Sequence, residues 1–360
     1  MVRLINSQGS SAMKILLVQG ILTSYRIPVF DELSQINGEQ FTLLADPGGQ
    51  DFGVDQEHAL GFSWQLANWR QILGKLWITK EFTTLLADHD TVLHVGDFKY
   101  LTLWYGLVAC LFSSKRIFLH GQGGYKRHGL VSNLVYSLSI LLADGYICYT
   151  DFSRQHLKRK IPHWLHHKLS VCTNSLYLPH FFEESRDDAD KLLFIGRLRA
   201  GAGIELLLGA AQQAKVSVRV IGGGRDEYVA HLSNKYPEAI FHGAIYDEMS
   251  QFELAKDCFA GGYGGDAGLS VVHYMAMGLP VVVHSDLYSH MGPEPSYLID
   301  REHALLFRRG DEQDAASKIE MLRDNIALRR HLSQNCRTKY KELSNPSMAQ
   351  RFQQILGKTQ

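Results

Sequence analysis

The chain has 360 residues, 45% hydrophobic and 21% charged, which is too long for one ordinary core and too apolar for disorder. Lysine plus arginine and aspartate plus glutamate each number 37, so no global field steers a polyanion and nucleic acid is excluded as a partner. The five cysteines, Cys110, Cys148, Cys172, Cys258 and Cys336, are odd in number, far apart and in apolar contexts, which argues against a disulfide framework or zinc site and for a reducing, cytoplasmic setting.

Met1 to Ala12 is polar and lacks the apolar centre of a signal peptide. Short β-branched or leucine-rich runs then alternate with helical patterns: Ile15 to Val18, Phe41 to Leu44, Thr91 to Val95, Arg116 to Leu119, Gly145 to Tyr149 and Leu169 to Cys172. His120-Gly121-Gln-Gly-Gly follows the fourth run, which puts His120 at the carboxyl end of a strand, where doubly wound sheets open their crevices. The most apolar stretches, Leu101 to Ser113 and Leu130 to Ala143, fall short of the ~20 residues of a bilayer span. Basic clusters border them, Lys126-Arg127-His128 and Arg154 through Lys168 with Trp164 among the charges. Such runs mark solvated helix faces more often than membrane docking.

The polar, acidic segment Glu183 to Lys191 reads as a linker, with a domain boundary near residue 185. Beyond it a second series of runs appears: Leu192 to Ile195, Val216 to Ile221, Ile240 to His242, Cys258 to Ala260, Val281 to Val283 and Ala304 to Phe307. The pattern predicts an α/β chain of two parallel-sheet units in tandem, residues 1–185 and 186–345, followed by a last helix within 346–360.

Glycines punctuate the second unit where its strands end. Gly196-Arg197 closes the first strand, where an arginine is by itself most simply a surface ion-pair residue. Gly222, Gly223 and Gly224 follow the second strand, the nucleotide-binding place of doubly wound folds. Ile245 and Tyr246 precede Asp247, which reads as a helix N-cap. Residues 258–284 read as glycine-rich loop, amphipathic helix, tight turn and buried strand. The glycines at 261, 262, 264, 265 and 268 bring backbone amides close to a ligand, and the helix opening near Gly268 aims amides and dipole at an anion. A phosphate or diphosphate is the expected guest, on the amides of Gly268, Leu269 and Ser270. Gly278 ends the helix and Pro280 forbids its return. Glu294 lies in a polar loop beyond the Val281 to Val283 strand, facing the same crevice.

Leu193-Phe-Ile-Gly-Arg-Leu-Arg-Ala-Gly-Ala-Gly and Gly268-Leu-Ser-Val-Val-His-Tyr-Met-Ala-Met-Gly-Leu-Pro-Val-Val resemble the donor-site signatures of family 4 retaining glycosyltransferases, enzymes of the GT-B fold. The resemblance implies two tandem Rossmann-like domains with an interdomain cleft, the acceptor on the N-terminal domain, a UDP- or GDP-linked sugar on the C-terminal one, and a C-terminal helix crossing back. It implies that Arg197 and the Gly268 to Ser270 amides hold diphosphate, His273 the ribose, and Asp266 and His120 the sugar. Gly196, Gly222, Gly223, Tyr246 and Gly265 complete the donor site, while Gly20, Arg26 and Gly121 belong to the acceptor side. The family's two glutamates fall on Gly265 and His273 here, and its lysine on Ala202, so three charged groups are missing.

The same resemblance implies a retaining transfer with no protein nucleophile and no cofactor beyond the nucleotide-sugar substrate. Asp88-His-Asp90 matches the metal motif of the other glycosyltransferase fold, but it ends a helix and precedes a strand, so no metal is expected. The implied acceptor is a glycan or lipid-linked oligosaccharide of bacterial surface polysaccharide synthesis, met at the inner face of the plasma membrane with peripheral contact to it. The alternatives are a GT-B sugar-nucleotide epimerase, a phosphorylase, and a non-catalytic nucleotide-sugar-binding subunit, the last favoured by the missing charged groups.

Overall fold

The computed structural model describes residues 13–48, 54, 60–178 and 186–357. The first sheet is built from β1 (Ile15–Ile21), β2 (Phe41–Asp46), β3 (Ser63–Leu66), β6 (Thr91–Val95), β7 (Arg116–Gly121), β8 (Gly145–Cys148) and β9 (Leu169–Val171). Its order is β3-β2-β1-β6-β7-β8-β9, and every pair is parallel. A small antiparallel pair, β4 (Arg70–Ile72) and β5 (Leu76–Ile78), stands beside it. Helices α1 (Ile27–Asn37), α2 (Glu81–Asp88), α3 (Leu101–Leu111), α4 (Leu130–Leu142) and α5 (Asp151–Lys158) connect the strands.

Strand periodicity sorts this core into two layers. Leu16, Val18, Val92 and Leu119 face the side of α2, α3 and α4, while Ile15, Leu17, Leu93 and Phe118 face α1. The strands read as continuous apolar runs because both sides are covered.

The second sheet holds β10 (Lys191–Ile195), β11 (Ser217–Ile221), β12 (Ile240–Phe241), β13 (Cys258–Tyr263), β14 (Val281–His284) and β15 (Ala304–Phe307). It runs β12-β11-β10-β13-β14-β15, again all parallel. Its helices are α6 (Ile204–Gln213), α7 (Asp226–Lys235), α8 (Glu248–Leu254), α9 (Ser270–Ala276), α10 (Glu312–Asp324) and α11 (Ile326–Ser344). Strand order reverses between β1 and β6 in one sheet and between β10 and β13 in the other, which places a crevice at the carboxyl ends of each. The boundary near residue 185 lies outside the described residues, as does Met1 to Ala12.

The chain ends in α12 (Met348–Leu356), started by a capping box between Ser347 and Gln350. Met348, Ala349, Phe352 and Leu356 are buried in the α1 layer of the first domain, and Ser347 Oγ donates to Glu32 Oε1 at 2.8 Å. Each large apolar side chain so buried contributes about 1.5–3 kcal/mol, enough to fix the crossing.

Three details of the sequence reading change. Gly261 and Gly262 lie inside β13, not in the loop, and are glycines because a Cβ would meet the Tyr274 ring at 2.3 Å or Leu207 at 2.8 Å. Helix α9 is buried nearly all round, with Val271, Val272, Tyr274, Met275 and Ala276 in the core, so it is not amphipathic. Strand β3 and the β4–β5 pair have no counterpart among the predicted runs. Gly278 ends α9 as expected, with φ of 64°. Around Asp88-His89-Asp90, His89 Nδ1 lies 2.6 Å from Leu85 O, and Asp90 accepts the Lys14 amide at 3.1 Å.

Candidate active site

The carboxyl ends of the two sheets face one another across a cleft. Asn174 accepts from Arg26 of its own domain at Oδ1 and donates across the gap, Nδ2 to Glu294 Oε1 at 2.5 Å. Tyr297 Oη accepts the Asn174 amide at 3.0 Å and donates to Tyr149 O at 2.9 Å, while Tyr125 Oη donates to His290 O at 2.9 Å. These bonds set the spacing of the domains.

Two cavities occupy the cleft. One of about 250 Å³ is lined from the first domain by Arg26, His120, Tyr149 and Asn174, and from the second by Gly268, Leu269, Gly292 and Glu294. The other, of about 210 Å³, is lined by Gly196, Arg197, Gly222, Gly223, Ile245 and Tyr246, with Thr23, Ser24 and Tyr25 from the opposite side. Thr23 and Tyr25 border both, so the cavities adjoin.

Loop packing holds the second domain's half. Gly203 is left-handed at φ 61°, and a Cβ there would lie 2.2 Å from Gly265 N. That contact lets Gly265 N donate to Ala202 O and Asp266 N to Gly201 O, both at 3.0 Å. Those two amides are therefore occupied, which shortens the expected anion cradle. The amides of Gly268, Leu269 and Ser270 have no acceptor among the described residues, as expected of the orphan donors that open a helix. Ser270 Oγ donates to Ile195 O at 2.8 Å and Tyr274 Oη accepts the Ile195 amide at 2.9 Å, so α9 is bolted to the strand that carries Gly196 and Arg197.

In the first domain, His120 lies between the Tyr149 ring at 4.5 Å and the Phe352 ring at 4.9 Å. Burial, and secondarily the Arg26 charge, take its imidazole down to about 3, so it is neutral, and its Nε2 is enclosed with no partner among the described residues. Arg26 donates to Ser175 O at 3.2 Å, to Met348 Sδ at 2.9 Å and to Asn174 Oδ1. Glu294 is 3% exposed, and desolvation raises its carboxyl above the usual range despite the Asn174 bond and the Arg26 charge. Its Oε2 faces Gly292, where a Cβ would sit 2.0 Å away, and Gly268, at 3.8 Å by the same measure.

Several expected residues lie outside these two cavities. Asp266 pairs with Arg309 at 3.1 Å and stands 3.5 Å from His284 Nε2. Gly265 is committed to the Gly203 contact. His273 is one turn into α9, its Nδ1 enclosed with no partner among the described residues and its imidazole taken down to about 4 by burial. Gly20 packs under Tyr100, whose Oη an added Cβ would meet at 2.1 Å. Gly121 lines a third cavity of about 400 Å³, with Asp97, Lys126, Arg127 and Tyr136, which shares Gln122 and Tyr149 with the first. The lysine position, Ala202, is fully buried in the apolar core. Sequence reasoning missed Tyr25, Tyr149 and Asn174; the one signal available was that each follows a strand's carboxyl end.

Residues 189–325 match the family of glycosyl transferases group 1. No curated protein matches the sequence. Among solved structures, Anabaena HepE in complex with UDP and glucose is 14% identical, with 96% of this chain and 99% of that one covered at a TM-score of 0.70. Sucrose-phosphate synthase of Thermosynechococcus elongatus is 17% identical over 96% of this chain and 98% of that one, at 0.71. A glycosyltransferase of Rickettsia africae is 14% identical over 97% and 100%, at 0.73. The fold is GT-B, and the resemblance read in the sequence, to GT-B glycosyltransferases of the group 1 type, holds.

Proposed function

We propose that this group 1 type glycosyltransferase moves a hexosyl group from a UDP- or GDP-linked donor to a hydroxyl of a glycan or lipid-linked acceptor. The reading includes retention, independence of metals and other cofactors, and a role in bacterial surface polysaccharide synthesis at the cytoplasmic face of the membrane. One observation carries it: the adjoining cavities, one edged by Arg197 and glycine turns, the other by the Gly268 and Leu269 amides. A nucleoside fits the first, a sugar the second, and a diphosphate bridges them. HepE, which was solved with UDP and with UDP-glucose, supports a uridine donor.

With retention, the acceptor hydroxyl attacks on the face the diphosphate leaves, and the diphosphate oxygen takes its proton. The protein then acts by position and charge. Arg197 and the orphan amides meet the growing negative charge. Arg199, whose Nη2 lies 3.0 Å from Met291 Sδ, supplies a cation near the place where Ala202 offers none. The neutral His120 and the carboxyl group of Glu294 line the sugar cavity.

The buried Ala202 and the ion-paired Asp266 favour a second reading, a donor-binding subunit without transfer. A thermal-shift screen of UDP- and GDP-sugars, followed by transfer assays with the donor found, separates the two. Arg197→Ala should retain the fold and lower turnover on the order of a hundredfold. Full turnover in that variant removes the arginine from the mechanism, and a screen in which no nucleotide sugar raises the melting temperature sinks the donor site.

A further inference from the structure

Helices α3 and α4 contain no charged residue, yet each leaves an apolar stripe in solvent. Tyr105, Val108 and Phe112 are exposed along α3 and its end, and Leu130, Leu134 and Leu138 along α4, with Phe112 83% and Leu130 87% accessible. Residues spaced by three, four or eight lie on one face of a helix. The two helices pack together: Phe98 contacts Trp104 of α3 at 5.7 Å and Tyr136 of α4 at 4.7 Å between ring centres. The stripes therefore belong to one side of the molecule, far more apolar surface than scattered single residues.

The border of this side is cationic. Residues 101–170 hold nine lysines and arginines against two aspartates, Asp144 and Asp151, in a chain whose charges balance overall. Lys160 lies 5.8 Å from the Tyr136 ring and donates to Gly124 O at 2.6 Å, near the start of α4. Lys168 donates to Ala143 O at 2.6 Å, at its end. Trp164, 60% exposed, projects from the turn packed against the same helix. Apolar side chains, an exposed tryptophan and a basic rim are the composition that lies in a lipid interface.

We propose that the α3–α4 face docks on an anionic membrane surface. Among the described residues no helix is long and apolar enough to cross a bilayer, so the contact lies on the membrane. A second copy fits less well, because an isologous contact would bring two basic rims together. The placement suits the acceptor side. The third cavity, lined by Lys126, Arg127 and Tyr136, runs from the cleft to the start of α4, so a lipid-borne phosphate at the surface meets cations on the way to the sugar cavity. The inference deepens the membrane contact of the proposed function and is independent of the donor.

Vesicle sedimentation of the full chain tests it, with phosphatidylglycerol and phosphatidylcholine in equal parts against phosphatidylcholine alone. The wild type should sediment with the anionic vesicles only, and less so in high salt. Leu130→Asp/Leu134→Asp and Lys158→Glu/Arg159→Glu should each lower partitioning on the order of tenfold or more. Both should keep the wild-type melting temperature and nucleotide-sugar shift; Leu130→Ser/Leu134→Ser serves if the aspartates impair folding. Failure of the wild type to bind, or equal binding by the variants, overturns the proposal. So does a wild-type dimer in sedimentation velocity that Leu130→Asp/Leu134→Asp dissociates, which gives the face to a second copy. Loss of the vesicle result with the donor shift intact leaves the donor reading standing.

Discussion

Glu294 is flanked by prolines beyond a strand's end, a sequence in which a carboxylate would ordinarily be solvated. Instead Asn174, from the other domain, holds one oxygen while the other faces Gly268 and Gly292 at the sugar cavity. Glu294→Gln keeps the shape and an acceptor for Asn174 but removes the charge. Turnover should fall by about a hundredfold, the cost of losing one aligned electrostatic group. Stability should not fall at neutral pH: the folded-state value is raised, so ionisation is costlier in the folded chain than in the unfolded one, and the amide removes that cost. Kinetics beside melting curves check both, and wild-type turnover would return Glu294 to a purely structural role. The loop's position at the end of a strand was legible in the sequence. The burial was not, because it depends on a residue in the other sheet's crevice. Asp266 and His273 show the converse: their places along the chain are as expected, but spacing does not tell where a side chain points or that Arg309 stands within reach.

Most strands could be read because central parallel strands, covered on both sides, leave unbroken apolar runs. The edge strand β3, Ser63-Trp-Gln-Leu, has exposed and half-buried residues and leaves no such run. Glycines are harder to read, since they serve different ends. Gly261 and Gly262 clear the way for side chains, whereas Gly203 lets two loops of the donor site touch through backbone. Gly203→Ala should cost about 2–5 kcal/mol, combining ~1–2 for a left-handed alanine with ~1–3 for overpacking. It should also abolish the nucleotide-sugar shift, because the turn bearing Arg197 would part from the loop leading to Gly268. Gly310, at φ 77° with nothing within 4 Å of an added Cβ, is the control for strain alone. Denaturant melts in which both alanine variants lose equal stability would refute the close-approach account.

Across the whole molecule, burial of neutral imidazoles makes the fold sensitive to acid. His120 is taken down to about 3, and His94, His273 and His290 to about 4, from 6.5, in each case mainly by desolvation. The unfolded chain binds these protons near pH 6.5 while the folded chain resists them. Stability is therefore complete above 6.5 and falls as pH drops toward the folded values, by up to about 1.4 kcal/mol per histidine per unit. The raised carboxyls of Glu294, Glu248 and Asp31 work in the other direction below their own values, whereas the lowered His156, His242, His284 and His303 add to the four. Position matters as well as number. His120 joins the first sheet to Phe352 of the crossing helix, and His290 accepts the Ala267 amide and receives Tyr125 at its carbonyl, so two of the four sit where the domains meet. Melting temperature should thus decline from about pH 6.5 downward, with exposure of the α12 contacts early in the loss. Hydrogen exchange across Met348 to Leu356 at about pH 5 would detect it, and protection there as strong as at pH 7.5, with an unchanged melting temperature, would show that these histidines take up their protons without disturbing the fold.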